Sequence, residues 1–248
     1  MPYSEGVAPY YDLFVGPADP PDGAAAFLSH FVERGGSVLD IGAGTGSTAI
    51  ALAERGVHVT ALEPDAEMHA VLLSRLARRF DIDARITPIP QGAGFPTGVQ
   101  HDVVASFSLL HLLAPRDQDA VVAYARTQVK PQGKVVLEMP VVSTARVERP
   151  WSLQSTRSLG RARVEHHSAM NKAADGQWQT HWKFATFLDE VRVAETTRTF
   201  DWAPLTHGRA EELLSQNGLI ALEDFAGCDR SPYVPGESRV RLVVARLG

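Results

Sequence analysis

The chain has 248 residues, 44% of them hydrophobic and 21% charged, with a formal net charge of -5. That is enough material to bury the core of one α/β domain carrying an insertion, and too much apolar content for a disordered or fibrous chain. Dispersed Arg and Lys disfavour a nucleic-acid backbone as partner, and the single cysteine, Cys228, excludes an internal disulfide and a multi-cysteine metal site. The first residues lack a secretory pattern and no apolar run reaches the roughly 20 residues that span a bilayer, so a cytoplasmic protein with no membrane partner and no metal is expected.

In chain order, residues 2–23 mix Tyr3, Tyr10, Tyr11 and Phe14 with Pro9, Pro17, Pro20 and Pro21, an aromatic but breaker-rich arm that needs a surface to pack on. Asp22 is placed to cap a helix over 23–34, whose apolar side is Ala25, Phe27, Leu28, Phe31 and Val32, and Gly35 and Gly36 end it. The strand 37–41 runs into Gly42-Ala43-Gly44-Thr45-Gly46 and then a helix through Ala53. A second strand, 57–62, ends at Glu63-Pro64-Asp65. The spacing of Met68, Val71, Leu72, Leu76 and Phe80 predicts a helix over 66–80 with Arg75, Arg78 and Arg79 on its solvated side. Strands at 85–89 and 102–106, a helix at 117–129, the turn Lys130-Pro131-Gln132-Gly133 and a strand at 134–138 continue the alternation. Such βαβ grammar predicts a parallel sheet with helices on both faces.

Residues 140–200 change character. Alternation in Arg163–Met170 and Trp178–Leu188, with Ala173-Ala174-Asp175-Gly176 as hairpin turn, and a further run at Val191–Phe200 predict an antiparallel insertion after the fifth strand. Trp151, Trp178, Trp182 and Trp202 lie in or beside it. A helix over 206–217 and strands at 220–225 and 239–247 then return to the core and close the sheet in antiparallel fashion. The organisation expected is an arm and helix (1–34), a core (35–139), an insertion forming a lid or dimer surface (140–203) and a C-terminal part of the core (204–248).

Glycines at alternate positions between strand and helix tolerate positive φ and let backbone approach a bulky ligand. The third glycine comes one residue too early for the dinucleotide spacing, and no Gly-Lys-Ser/Thr follows, which argues against NAD and ATP and leaves a nucleoside without pyrophosphate. A carboxylate at the tip of the second strand, Glu63, can accept hydrogen bonds from two adjacent ribose hydroxyls; the lesser alternative is a solvated turn residue before Pro64.

Residues 38–46 (VLDIGAGTG) resemble motif I of the class I S-adenosylmethionine-dependent methyltransferases, and Ala61-Leu62-Glu63-Pro64-Asp65 resembles their acidic ribose-binding motif. His101–Ser106 with Leu109-Leu110-His111 resembles the fourth strand and its exit loop. Val129–Lys134 resembles the turn before the fifth strand, with Gln132 in place of a glycine. The resemblance implies a Rossmann-like α/β fold, a seven-stranded, mostly parallel sheet with helices on both faces, and S-adenosyl-L-methionine as cofactor. It implies that Gly42, Ala43, Gly44 and Gly46 approach the cofactor, that Asp40 organises their loop and that Glu63 holds the ribose. Pro64, Met68 and the Gly92-Ala93-Gly94-Phe95 segment would border adenine, Ser106 and Phe107 would lie near the ammonium, and Tyr11 would fold over the whole.

The reaction implied by the resemblance to small-molecule members is methyl transfer to an oxygen or nitrogen of a small molecule of secondary metabolism, and the Asn/Asp-Pro-Pro-Tyr motif of nucleobase and glutamine methylation is absent after the fourth strand. His166 or His167, adjacent on a strand and so pointing to opposite faces, is the first choice of base, followed by His181 and His111. Tyr10, Phe14, Trp151, Trp178, Trp182 and Phe184 are candidate substrate walls, with a homodimer interface as the alternative use of the insertion aromatics. A cofactor-binding scaffold that transfers nothing, or a cyclase that does not consume the cofactor, are the competing readings.

Overall fold

The short apolar runs become strands β1 (Ser37–Ile41), β2 (His58–Leu62), β3 (Ile86–Ile89), β4 (His101–Ser106) and β5 (Val129–Pro140), then β6 (Arg149–Leu159), β7 (Ala162–Lys172), β8 (Trp178–Leu188) and β9 (Val191–Trp202), and finally β10 (Leu219–Phe225) and β11 (Val240–Leu247). The helices are α1 (Ala8–Phe14), α2 (Gly23–Leu28), α3 (Ser47–Glu54), α4 (Ala66–Leu76), α5 (Pro115–Gln128) and α6 (His207–Gln216). The computed structural model describes residues 6–14, 23–142, 147–173 and 177–248. The expected cap Asp22 and turn residues Ala174, Asp175 and Gly176 lie outside them, as do Tyr3, Pro17, Pro20 and Pro21.

Seven strands form one sheet in the order β10-β11-β5-β4-β1-β2-β3. β1 to β5 are mutually parallel, and β11 is antiparallel to both β5 and β10. This is the Rossmann-like arrangement expected. Successive residues of β1 feed opposite faces: Val38 joins the core cluster that holds Phe27, Leu52 and Leu72, and Leu39 the one that holds Val122 and Leu213. Burial on both faces explains why these strands read as continuous apolar runs.

The insertion is a separate sheet of four antiparallel strands in the order β6-β7-β8-β9. Its first strand, β6, has no counterpart in the expected elements. Nearly every residue of β6 is exposed, so it lacks the alternation that betrays a half-buried strand. Pro150 is tolerated there because an edge strand need not donate from every N–H.

Other boundaries moved for local reasons. α2 stops at Leu28 rather than 34, and α4 at Leu76 rather than 80, which leaves Phe80 82% exposed. β5 begins at Val129, so Lys130-Pro131-Gln132-Gly133 is extended rather than a turn. A Cβ at Gly133 would lie 2.6 Å from the Asp102 carbonyl, which is why backbone can pass there only with glycine. The arm forms a helix, α1, despite Pro9, because proline is tolerated in a first turn where its missing N–H has no helical partner. Among the described residues no helix is long and apolar enough to cross a membrane.

Candidate functional site

At the carboxyl ends of β1, β2, β4 and β5 lies a cavity of about 1230 Å³, the place where the strand order reverses and open α/β sheets bind ligands. Its floor is the loop after β1. The amides of Gly42 and Ala43 both donate to the Leu62 carbonyl at 2.9 Å, which folds the loop against the end of β2. Gly44 adopts φ 58°, and a Cβ added there would meet nothing within 4 Å, so the backbone presents itself bare to open space.

Glu63 stands beside it, 7% exposed. Its Oε2 accepts from the Gly44 amide at 2.7 Å and its Oε1 from the Asp65 amide at 2.8 Å. Burial raises its pKa, against which those two amides pull down. Each carboxylate oxygen keeps a further lone pair for a ligand donor. Asp65 then caps α4, accepting from the amides of Glu67 and Met68.

Asp40, on β1, is 3% exposed, and among the described residues its Oδ2 has no hydrogen-bond partner. Burial, followed by the Glu63 charge, pushes its pKa up to about 7. An orphaned buried acceptor costs on the order of 1–3 kcal/mol, which a ligand donor recovers. Asp40 and the bare Gly44 thus fit a nucleoside-bearing, cationic ligand.

Tyr11 of α1 forms part of the wall, its hydroxyl pushed up to about 12 by burial and then by the charges of Glu138, Asp12 and Glu63. Asp12 fixes the helix over the glycine loop: it accepts from Thr45 Oγ1 at 2.5 Å and from Arg75 Nη1 at 3.0 Å. Arg75 also reaches the Thr45 carbonyl and Ser47 Oγ. The expected solvated role of Arg75 is therefore corrected, since it ties α4, α1 and the loop together. Opposite, Ser108 holds φ 51°, unusual for a residue with a Cβ, and gives its amide (2.5 Å) and hydroxyl (2.9 Å) to Oε2 of Glu138. Burial raises the pKa of Glu138, and the two Ser108 bonds oppose it.

Residues 38–133 match the family model described as Methyltransferase domain. No curated protein matches the chain in sequence. Among solved structures it is similar to the CcbJ methyltransferase of Streptomyces caelestis, at 23% identity over 100% of this chain and 98% of that one, with a TM-score of 0.80. It is also similar to DesVI of Streptomyces venezuelae (18% identity, 98% of each chain, TM-score 0.76). A third is CalS10, an amino pentose methyltransferase of Micromonospora echinaspora solved with S-adenosylmethionine bound (19% identity, 99% of this chain and 98% of that one, TM-score 0.72). These likenesses show that the whole chain, insertion included, has the class I S-adenosylmethionine-dependent methyltransferase fold.

Of the residues singled out in sequence, the fold brings Asp40, Gly42, Ala43, Gly44, Glu63 and Pro64 to the cavity, together with Met68, Gly92, Ala93, Phe107 and Tyr11. Four others are not among its walls. Gly46 packs on α4, where a Cβ would come within 2.1 Å of Leu72 Cδ1, so helix packing replaces the expected ligand contact. Ser106 is wholly buried in β4. Phe95 is 36% exposed and uses its carbonyl to accept from the Tyr124 hydroxyl at 2.6 Å, and neighbouring Gly94 also lies off the wall.

None of the four histidines lines the cavity. His166 is buried in an aromatic cluster, stacked on Phe184 at 4.8 Å and flanked by Phe14 and Trp182. His167 points to the opposite face, bonded to Glu165 at 2.9 Å. His181 is held by Thr199 and Asn171, and His111 packs edge-on against Trp202 at 5.6 Å. The aromatics likewise pack on one another rather than walling the cavity. Tyr10 stacks on Phe184 at 4.9 Å, Trp182 meets Tyr11 and Phe200, and Trp178 stacks on Trp202. Trp151 is 49% exposed beside His181 and Lys183.

Sequence reasoning missed Asp12, Arg75, Ser108 and Glu138. One signal was available: Glu138 is a lone acid within the apolar run Val135-Val136-Leu137-Glu138-Met139, at the carboxyl end of a central strand. No group of three or more His, Cys, Asp or Glu among the described residues is arranged to hold a metal.

Proposed function

We propose that this protein transfers the methyl group of S-adenosylmethionine to an oxygen or nitrogen of a small molecule of secondary metabolism, working in the cytosol. The observation that carries the reading is the pairing of bare Gly44 with Glu63 beside the orphaned Asp40 oxygen, all on one cavity. When bound, S-adenosylmethionine supplies a methyl already activated on a sulfonium. Glu63 is the group for the ribose hydroxyls, and Asp40 for a donor at the amino-acid end of the ligand. Pro64, Met68 and Ala93 supply an apolar bed for the base.

The chain's remaining task is to orient an acceptor and keep water out. Tyr11, carried on α1 and fastened by Asp12, closes one side, and Phe107 and Leu109 after β4 close the other. A small-molecule acceptor has a parallel in CalS10, described as an amino pentose methyltransferase. The exposed β6 and Trp151 suit contact between two copies of the chain rather than a substrate wall.

Isothermal titration with S-adenosylmethionine and with its demethylated product tests the first step, and micromolar binding of both is expected. Failure of well-folded protein to bind either overturns the reading. A gain of one methyl in an acceptor, detected by mass spectrometry, separates transfer from a scaffold or cyclase role.

A further inference from the structure

The described lining of the cavity carries six carboxylates, Asp40, Glu63, Asp65, Asp117, Glu138 and Asp229, and no Lys, Arg or His. Asp40, Glu63 and Asp65 sit at the ends of β1 and β2, where the donor's nucleoside is expected. Glu138 does not. It lies on β5, two strand spacings or about 10 Å from β1 in the plane of the sheet, across the loop after β4. It therefore lies to the far side of the cavity from Glu63.

The geometry around Glu138 is that of a binding group. Both Ser108 donors go to Oε2, and among the described residues no donor reaches Oε1. Tyr11 and Cys228 also face it closely enough for its charge to disfavour their ionised forms, the Cys228 thiol being held at about 11 by burial first and Glu138 next. A half-buried carboxylate on a cavity wall that holds five further acids is stabilised by a cation that brings its own proton donors. An anionic acceptor would instead meet only like charge.

We propose that Glu138 is a catalytic residue that binds and deprotonates a basic amine, so that the acceptor is a cationic amine and not an alcohol, a phenol or an acid. This rests on the methyl-transfer reading above. The ammonium donates to Oε1, and one of its protons passes to the carboxylate, giving a neutral amine and a protonated Glu138. The nitrogen lone pair then forms the N–C bond as the C–S bond breaks, and that electron pair stays on sulfur, leaving a neutral thioether and an N-methylammonium. Glu138 returns its proton to solvent after release. Burial, which raises its pKa, narrows the gap to an amine and makes the carboxylate a better base.

The experiment compares wild type, Glu138→Gln and Glu138→Asp. Each is loaded with the demethylated cofactor and titrated with a set of primary and secondary amines and their hydroxyl isosteres, glucosamine with glucose and phenethylamine with 2-phenylethanol among them. The same pairs are run as methyl acceptors across pH 6–10. Expected are amine binding at least tenfold tighter than the isostere in wild type and loss of that preference in Glu138→Gln. In that variant kcat should fall at least 100-fold and its profile should follow the amine's own ionisation; Glu138→Asp should recover part of the rate. Cofactor affinity should stay within about threefold in all three, which reports folding and the donor site separately.

Equal binding of amine and isostere by wild type, or an unchanged amine preference in Glu138→Gln, overturns the proposal while leaving methyl transfer standing. Methylation of a hydroxyl isostere at the amine's rate does the same. No binding of the demethylated cofactor by wild type overturns both.

Discussion

Gly44 donates its backbone amide to Oε2 of Glu63 across 2.7 Å, so the loop after β1 and the tip of β2 are one unit. Because the same carboxylate also takes the Asp65 amide, the cap of α4 belongs to that unit as well. A ligand held by Glu63 is therefore held by three elements at once.

Glu63→Ala removes the proposed ribose acceptor and leaves two amides without their partner. Binding of S-adenosylmethionine should weaken by roughly 1.5–3 kcal/mol, about tenfold or more, as read by titration calorimetry. A near-neutral change would remove Glu63 from the site.

Gly44 and Gly46 share a left-handed φ, yet alanine should affect them differently. At Gly46 (φ 82°) the new methyl collides with Leu72, which is wholly buried, so Gly46→Ala should lower stability by several kcal/mol and the melting temperature with it. At Gly44 the methyl meets open space, so the cost to the fold is backbone strain of about 1–2 kcal/mol. Its chief effect should be on cofactor affinity. Melting curves and titrations of the pair give the comparison, and equal melting temperatures would contradict it.

The difference between those two glycines shows what was legible in sequence. Strand, glycine loop and strand-tip acid are neighbours along the chain, so Val38–Gly46 and Glu63 could be read directly, and alternation revealed β7 and β8. Gly46 was misplaced because its neighbour, Leu72, comes from a different helix. Asp12 and Arg75 meet across 63 positions and Ser108 and Glu138 across 30, and no local pattern encodes such meetings. The histidines attracted attention by residue type, while their packing against Phe184, Glu165 and Trp202 is purely tertiary.

Asp12→Ala cuts the tie between α1 and Thr45. Both members of its ion pair with Arg75 are about one-third exposed, so global stability should drop by less than about 1 kcal/mol. Closure of the cavity should suffer more. Faster proteolytic clipping near residues 6–14 and quicker release of bound S-adenosylmethionine are expected, measured by limited digestion and stopped-flow fluorescence. Unchanged release would show that α1 does not gate the donor.

Asp40 should make cofactor binding proton-linked. With its pKa raised from 3.8 to about 7, the free protein holds a proton there below neutrality, and a ligand that donates to Oδ2 must displace it. Affinity should therefore fall as pH drops from 7.5 to 6, with proton release visible as buffer-dependent binding heats. The same shift means that the folded chain binds more protons than the unfolded one between about 4 and 7, so this residue's contribution to stability declines as pH rises through that window. Asp40→Asn should abolish both effects, and buffer-independent heats in wild type would refute the assignment.

His166 should act in the opposite sense on stability alone. Burial, and secondarily His167, lowers its pKa from 6.5 to about 4, so the unfolded chain binds the proton more readily. Stability contributed by the neutral ring is complete above 6.5 and is lost as pH falls toward 4. Protonation would place a charge between Phe14, Phe184 and Trp182, where the ring's Nε2 has no acceptor among the described residues. His166→Phe keeps the stack and removes the proton site. Denaturant titrations at pH 7 and 5 should show the wild type losing about 2 kcal/mol more than the variant, and equal losses would place the acid sensitivity elsewhere. Because His166 is off the cavity wall, methyl transfer at pH 7.5 should persist in this variant, which a catalytic base at that position would forbid.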